Sequence, residues 1–220
     1  MKREHVAFPC GEISLEGALH LPEGDGPFPG VAVCHPHPLY GGDMDNNVVV
    51  TICQALTARK VAALRFNFRG AGGSGGMFGG GVKEQDDVKA ALDYLGSRKE
   101  IHAGRLGLAG YSFGGAVAFP VAQQEARVTG LALVSPALGD AGWAELQQFS
   151  RPKMILLGDA DTVVPYARLK KHFDAGGDFH VIHGADHFWW GFEREMAGRV
   201  GGFFAGFLSR DASGAGGSPS

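Results

Sequence analysis

The chain is poor in cysteine, with three in 220 residues. Cys10, Cys34 and Cys53 are odd in number and show no C-x-x-C spacing, which excludes a paired disulfide framework. Cys34 and Cys53 fall in apolar segments, where a reduced thiol behaves as a small hydrophobe. A reducing, cytoplasmic setting is expected. No stretch approaches 18 uninterrupted apolar residues, so no transmembrane helix is expected. No apolar run follows Met1-Lys2-Arg3-Glu4-His5, and no signal peptide is read. There is no block of Lys or Arg, and the formal net charge is −3. That balance excludes a nucleic-acid backbone binder and a patch for anionic membranes. Two motifs are also missing. There is no H-E-x-x-H to hold zinc, and no Gly-Lys-Ser/Thr to close a phosphate-binding loop.

Apolar residues and glycine are abundant. With 45% hydrophobic residues, the chain can bury one substantial core. A single domain over residues 1–208 is expected, followed by a flexible Gly/Ser/Ala-rich tail from Ser209 to Ser220. Residues 3–10 and 12–21 read as a hairpin, and Val31–Cys34 as a fully buried strand. Asn46 or Asn47 can cap a helix whose Val49, Ile52, Cys53 and Leu56 share one face. A strand, Val61–Phe66, and a Gly-rich loop follow. The next helix carries Val88, Ala91, Leu92 and Leu95 on one stripe, with acidic residues in its first turn. Strand 106–111, helix 113–124, strand 128–134, strand 153–158, helix 165–174 and strand 179–182 continue the alternation. The last helix is expected over about 189–208, burying Phe192, Met196, Val200, Phe203, Phe204 and Phe207. Buried strands alternating with amphipathic helices imply an α/β fold, a mostly parallel sheet flanked by helices on both faces.

With 36 glycines, a short Gly-bearing motif means little without its context. Gly110-Tyr111-Ser112-Phe113-Gly114 has that context: it follows the apolar Leu106-Gly107-Leu108-Ala109 and opens a small-residue helix. There, G-x-S-x-G describes a tight strand-to-helix turn with the Ser112 hydroxyl thrust above the sheet. A hydroxyl needs a base to take its proton as it attacks. Of nine histidines, His187 alone lies after the last strand in a tight loop, Gly184-Ala185-Asp186-His187-Phe188. An acid must then orient the imidazole. Asp161, just past strand 153–158, is favoured over Asp159, which comes directly off that strand and can shape the turn instead. The order Ser112, Asp161, His187 is that of α/β-hydrolases, unlike the orders of chymotrypsin and subtilisin.

An oxyanion needs two backbone N–H donors. Phe113, next to the nucleophile at a helix N-terminus, is one candidate. His37 is the other, because its neighbours Pro36 and Pro38 have no N–H to give. Tyr40, Phe78, Trp189 and Trp190 are candidate walls of a substrate pocket, with plain loop-on-helix packing as the alternative for each. His35 is read as a structural histidine bracing loops below the site rather than a metal ligand. Gly70-Ala71-Gly72-Gly73-Ser74-Gly75 matches a dinucleotide-binding pattern. Its helix starts too late, near Lys83, and Asp93 lies inside that helix instead of at a second strand end. Arg69 is read as an anchor for this loop.

These motifs, with His35-Pro36-His37-Pro38-Leu39-Tyr40-Gly41-Gly42 and Asn67-Phe68-Arg69-Gly70, resemble those of the α/β-hydrolase superfamily over roughly residues 30–190. The likeness is to small lidless bacterial serine hydrolases related to dienelactone hydrolases, although those enzymes use a cysteine nucleophile where this chain has Ser112. It implies the α/β-hydrolase fold without a cap domain, since Pro136 to Pro152 leaves room only for a connection and one short helix. It also implies cleavage of small soluble short-acyl esters through an acyl-enzyme, with thioester or amide cleavage, or non-catalytic ligand binding, as alternatives. A small-molecule substrate is the expected partner, without nucleic acid, membrane, cofactor or metal.

Overall fold

The computed structural model describes residues 1–169 and 179–208. The chain opens with a hairpin of β1 (Lys2–Cys10) and β2 (Ile13–Leu21). It then alternates β3 (Phe28–Cys34), α1 (Asn47–Thr57), β4 (Ala62–Phe66), α2 (Glu84–Ser97), β5 (Ile101–Tyr111) and α3 (Phe113–Gln124). The second half holds β6 (Val128–Val134), α4 (Asp140–Gln148), β7 (Lys153–Gly158), α5 (Tyr166–Leu169), β8 (Phe179–Ile182) and α6 (Glu193–Leu208). The eight strands form one sheet in the order β1-β2-β4-β3-β5-β6-β7-β8. β2 pairs antiparallel with β1 and with β4, and every other pairing is parallel. Parallel neighbours need a crossover, and the helices supply it while covering both faces.

The period-2 alternation of strand side chains divides the core in two. Ala32, Cys34, Leu131 and Leu133 join the apolar cluster beneath α2, α3 and α4. Their neighbours Val31, Val33, Ala132 and Val134 join the cluster beneath α1 and α6. Val49, Ile52, Cys53 and Leu56 all turn inward from α1, and Asn46 caps that helix by accepting from the Val48 N–H at 3.0 Å.

Some elements differ from the periodicity-based expectation. Strand β5 begins at Ile101, where an exposed polar lead-in masks the strand pattern. α6 begins at Glu193, four residues later than expected. Trp189 (φ 63°) and Gly191 (φ 83°) hold left-handed backbone, which no right-handed helix accommodates. Phe192, Phe203 and Phe207 are half-buried flanks of α6, while Met196, Val200 and Phe204 lie fully inside. The helix expected over 165–174 is seen as α5, and its later residues lie outside the described ones, as does the expected tail. Between Pro136 and Pro152 there is one short helix, α4, and no cap. No helix among the described residues is long and apolar enough to cross a membrane.

Two buried histidines brace the sheet. His20 Nε2 accepts from Arg65 Nε–H at 3.0 Å, and burial, then the Arg65 and Arg3 charges, hold His20 down at about 4. His35 contacts the Pro36 carbonyl through Nδ1 (2.6 Å) and accepts from the Phe68 N–H at Nε2 (3.0 Å). Burial outweighs the Pro36 bond and lowers His35 to about 4 as well. Both folded-state values lie below the ordinary 6.5. Between these limits the unfolded chain binds more protons, so stability is intact above 6.5 and declines as pH falls toward 4. We predict that unfolding near pH 5 takes up about two protons through these side chains. His20→Gln, which keeps an acceptor for Arg65, should flatten the fall in urea midpoint between pH 7 and 4.5. An unchanged slope in that variant contradicts the assignment.

Candidate active site

The carboxyl ends of β3, β5, β7 and β8 lie along one edge of the sheet, and four loops meet there. Ser112 follows β5 directly, with φ 54° and ψ −119°, a conformation costing about 1–3 kcal/mol for a non-glycine residue. Backbone hydrogen bonds impose it. The Ser112 N–H donates to Val134 O (3.0 Å), and its carbonyl accepts from Gly115 (3.0 Å) and Ala137 (3.1 Å). The flanking glycines are steric requirements. A Cβ on Gly110 would lie 2.5 Å from Gly114 O, and one on Gly114 would lie 2.3 Å from Cys34 O. This turn therefore seats the elbow directly against the end of β3.

The other two side chains arrive on loops that are tied together. Past β7, the Asp159 and Ala160 N–H groups donate to Ile182 O (3.3 Å) and Ala185 O (3.1 Å). A Cβ on Gly158 would approach Ala185 O to 2.0 Å, so only glycine lets the two loops touch. Asp161 Oδ1 accepts from the N–H groups of Val163 (2.9 Å) and Val164 (2.7 Å), while Oδ2 receives His187 Nδ1 at 2.8 Å. On the far side of the ring, His187 Nε2 lies 3.0 Å from Ser112 Oγ. Burial pushes the Asp161 carboxyl upward, but the bonds from His187 and Val164 prevail and hold it below the ordinary carboxylate value. Asp161 is thus an anion, acceptor only, and it fixes the His187 proton on Nδ1. Nε2 is left to accept from the serine.

Asp159 does something else. Its carboxylate accepts from the Gly184 N–H (2.7 Å) and pairs with the exposed His183 (2.7 Å), and these bonds, Gly184 first, lower its pKa. It shapes the turn, as its place directly off the strand implies.

His37 and Phe113 sit side by side, with ring centroids 4.7 Å apart. His37 O accepts from the N–H groups of Tyr40 and Gly42, both at 3.0 Å, closing a tight turn around Pro38–Tyr40. Neither the His37 nor the Phe113 N–H has an acceptor among the described residues. The His37 ring also packs on Tyr40 (4.7 Å) and Phe78 (5.0 Å), so both candidate pocket residues border the elbow. Trp189 does not. It is wholly buried, 0% exposed, in the cluster beneath α1 and α6, so it cannot line an open pocket. Its left-handed φ turns it inward, and Asp186 Oδ1 accepts its N–H (3.0 Å) and that of Phe188 (2.9 Å). Trp190 is exposed instead.

Acidic side chains hold the Gly-rich loop beside the elbow. Asp87 binds Arg69 through Nε (2.9 Å) and Nη2 (2.6 Å), while Glu84 accepts from the N–H groups of Gly79 (2.6 Å) and Gly81 (2.7 Å). Both carboxylates are buried. The loop is thereby kept in place by helix α2 and presents Phe78 to His37. Both ring nitrogens of His35 are taken by backbone, which leaves none for a metal.

A serine hydroxyl, an imidazole and a buried carboxylate joined in series above a parallel sheet define a serine hydrolase of the α/β type. Comparison with known proteins agrees. A solved α/β serine hydrolase homologue from Coxiella burnetii is 35% identical with a TM-score of 0.80, covering 90% of this chain and 97% of that one. A lidless α/β serine hydrolase from Xanthomonas campestris is 26% identical with a TM-score of 0.80, covering 96% and 97%. An uncharacterised protein of Rickettsia prowazekii is 34% identical over 169 residues, 71% of this chain and 70% of its own length. The family model described as serine aminopeptidase, S33, matches residues 40–145. The chain belongs to the α/β-hydrolase superfamily, among its serine hydrolases.

Sequence reading missed Tyr111. Its hydroxyl donates to His187 O at 2.7 Å, and its ring lies 5.6 Å from the imidazole. Tyr111 is buried, which pushes its phenol up and keeps it a donor across the physiological range. One residue from the serine, it is a strut fixing the histidine loop relative to the elbow. Misplacing a reacting group by an ångström costs about 10²-fold. Tyr111→Phe should therefore lower kcat about ten- to a hundred-fold with KM little changed, without loss of secondary structure. A wild-type kcat in a variant that shows a lower Tm contradicts this role, since it leaves only a structural one.

Proposed function

We propose that this protein hydrolyses small, soluble, short-acyl carboxylic esters through a covalent intermediate on Ser112. The observation that carries the reading is the unbroken series Ser112 Oγ, His187 Nε2 and Nδ1, Asp161 Oδ2, with contacts of 3.0 and 2.8 Å. Ser112 Oγ attacks the ester carbonyl as its proton passes to His187 Nε2, and the negative oxygen is received by the His37 and Phe113 N–H groups. Collapse breaks the bond to the alcohol, which leaves with the proton from His187. A water molecule then gives its proton to His187 as it attacks the acyl-enzyme carbonyl, and collapse releases the acid while His187 returns that proton to Ser112 Oγ. Asp161 stays ionised throughout and stabilises the imidazolium. Losing one oxyanion donor costs about 10²–10³ in kcat.

Among the described residues no cap covers the site, which supports small soluble substrates. The buried thiols Cys34 and Cys53, with burial pushing Cys53 to about 12, support a reducing compartment. The family model's description as a serine aminopeptidase favours one second reading, amide cleavage by the same groups. Matched ester, thioester and anilide substrates separate the two.

Ser112→Ala should lower turnover of a soluble butyrate ester by about 10⁴-fold or more. The wild-type rate should fall at acid pH, where a general base no longer accepts the serine proton. Rates independent of pH from 5 to 8, or triglyceride emulsions cleaved much faster than the soluble ester, contradict the proposal.

A further inference from the structure

Of the walls expected from the sequence, Tyr40 and Phe78 border Ser112 on the side of His37. A cavity of about 800 Å³ opens on the side of β6 and β7. Leu138, Gly139 and Trp143 line it from the start of α4, and Val163, Pro165 and Ala167 line it from the turn into α5. Both walls grow directly out of the candidate site. Ala137, also in the lining, donates its N–H to Ser112 O at 3.1 Å. Val163 and Val164 donate theirs to the Asp161 carboxylate that holds His187. Trp143, Val164 and Leu169 are buried, giving the cavity an apolar floor, while Val163 is 57% exposed and faces open space. Its volume falls in the range of small-molecule sites. Among the described residues that line it, the charged one is Asp140, the exposed first residue of α4.

Resting on the esterase reading, we propose that this cavity is the acyl subsite and takes the neutral, apolar arm of the acid, unbranched or phenyl-bearing, beyond its first two carbons. The acyl group is the part of the substrate that stays bonded to Ser112 Oγ, and this cavity adjoins that residue's own backbone contact. Aliphatic walls gain from each methylene removed from water. A carboxylate at the end of the arm would lose hydration against these apolar walls.

Gly139 offers a clean test. Its backbone (φ −76°, ψ 172°) is one any residue adopts, and a Cβ there meets nothing within 4 Å. Gly139→Phe therefore narrows the cavity without backbone strain, and Ala167→Trp does so from the opposite wall. For wild type, kcat/KM should rise from the acetate to the hexanoate ester of one alcohol. Each variant should lower the hexanoate value about ten-fold or more while leaving the acetate value within about two-fold. A carboxylate-ended acyl ester of matched length should be a poorer substrate than hexanoate. If both variants leave the hexanoate-to-acetate ratio unchanged, or if they alter selectivity for the alcohol instead, the subsite is overturned. Failure of the esterase reading itself looks different: wild type then turns over neither ester, and a fluorophosphonate does not modify Ser112.

Discussion

A carboxylate withdrawn from water is tolerated only when its lone pairs are filled, and Asp161 meets that condition inside the fold. Two amides of its own loop and the His187 imidazole supply the bonds, with the His187 contact at 2.8 Å. The charge therefore persists despite burial, and it dictates the state of the next group. Asp161 can only accept, so the His187 proton sits on Nδ1, and Nε2 turns its lone pair to Ser112. Remove the carboxylate and the imidazole loses both its tautomer and its partner once protonated.

The fold exists around that chain of contacts as a set of close approaches at one sheet edge. Gly110 and Gly114 let the elbow lie against β3, and Gly158 lets the loop bearing Asp161 lie against the loop bearing His187. Tyr111 spans the remaining gap by bonding the His187 carbonyl. The strain at Ser112 is held by its bonds to Val134, Gly115 and Ala137, groups that already belong to the sheet, the helix and the next loop. Around this rim, buried Glu84 and Asp87 at the first turn of α2 hold the Gly-rich loop, where the helix N-terminus favours negative charge. None of these acids touches the serine. Their work is to keep the aromatic side of the site in place.

Much of this was legible in the sequence because two signals are local. Strand and helix periods place the sheet, and the elbow, with its flanking glycines, marks the end of one strand. The order of Ser112, Asp161 and His187 could then be read because each follows a recognisable strand. Asp161 was separable from Asp159 only by distance from the strand end, a weak cue that the His183 and Gly184 contacts of Asp159 explain. What escaped depends on backbone that periodicity does not encode. Trp189 is a candidate pocket wall in the sequence, yet its left-handed φ sends it into the core and delays the start of α6. The Tyr111 bond joins residues 76 apart in sequence, and the cavity by α4 lies between two loops with no shared motif.

Acylation of Ser112 is the event on which the proposed chemistry depends. Rapid mixing of the protein with excess activated butyrate ester, followed by acid quenching and peptide mass analysis, measures this directly. The expected result is a burst of about one equivalent of alcohol, with a butyryl group on the peptide carrying Ser112 that disappears as substrate is exhausted. Turnover of the ester with no burst and no acyl group on that peptide, in protein that a Ser112→Ala change leaves fully active, would contradict it.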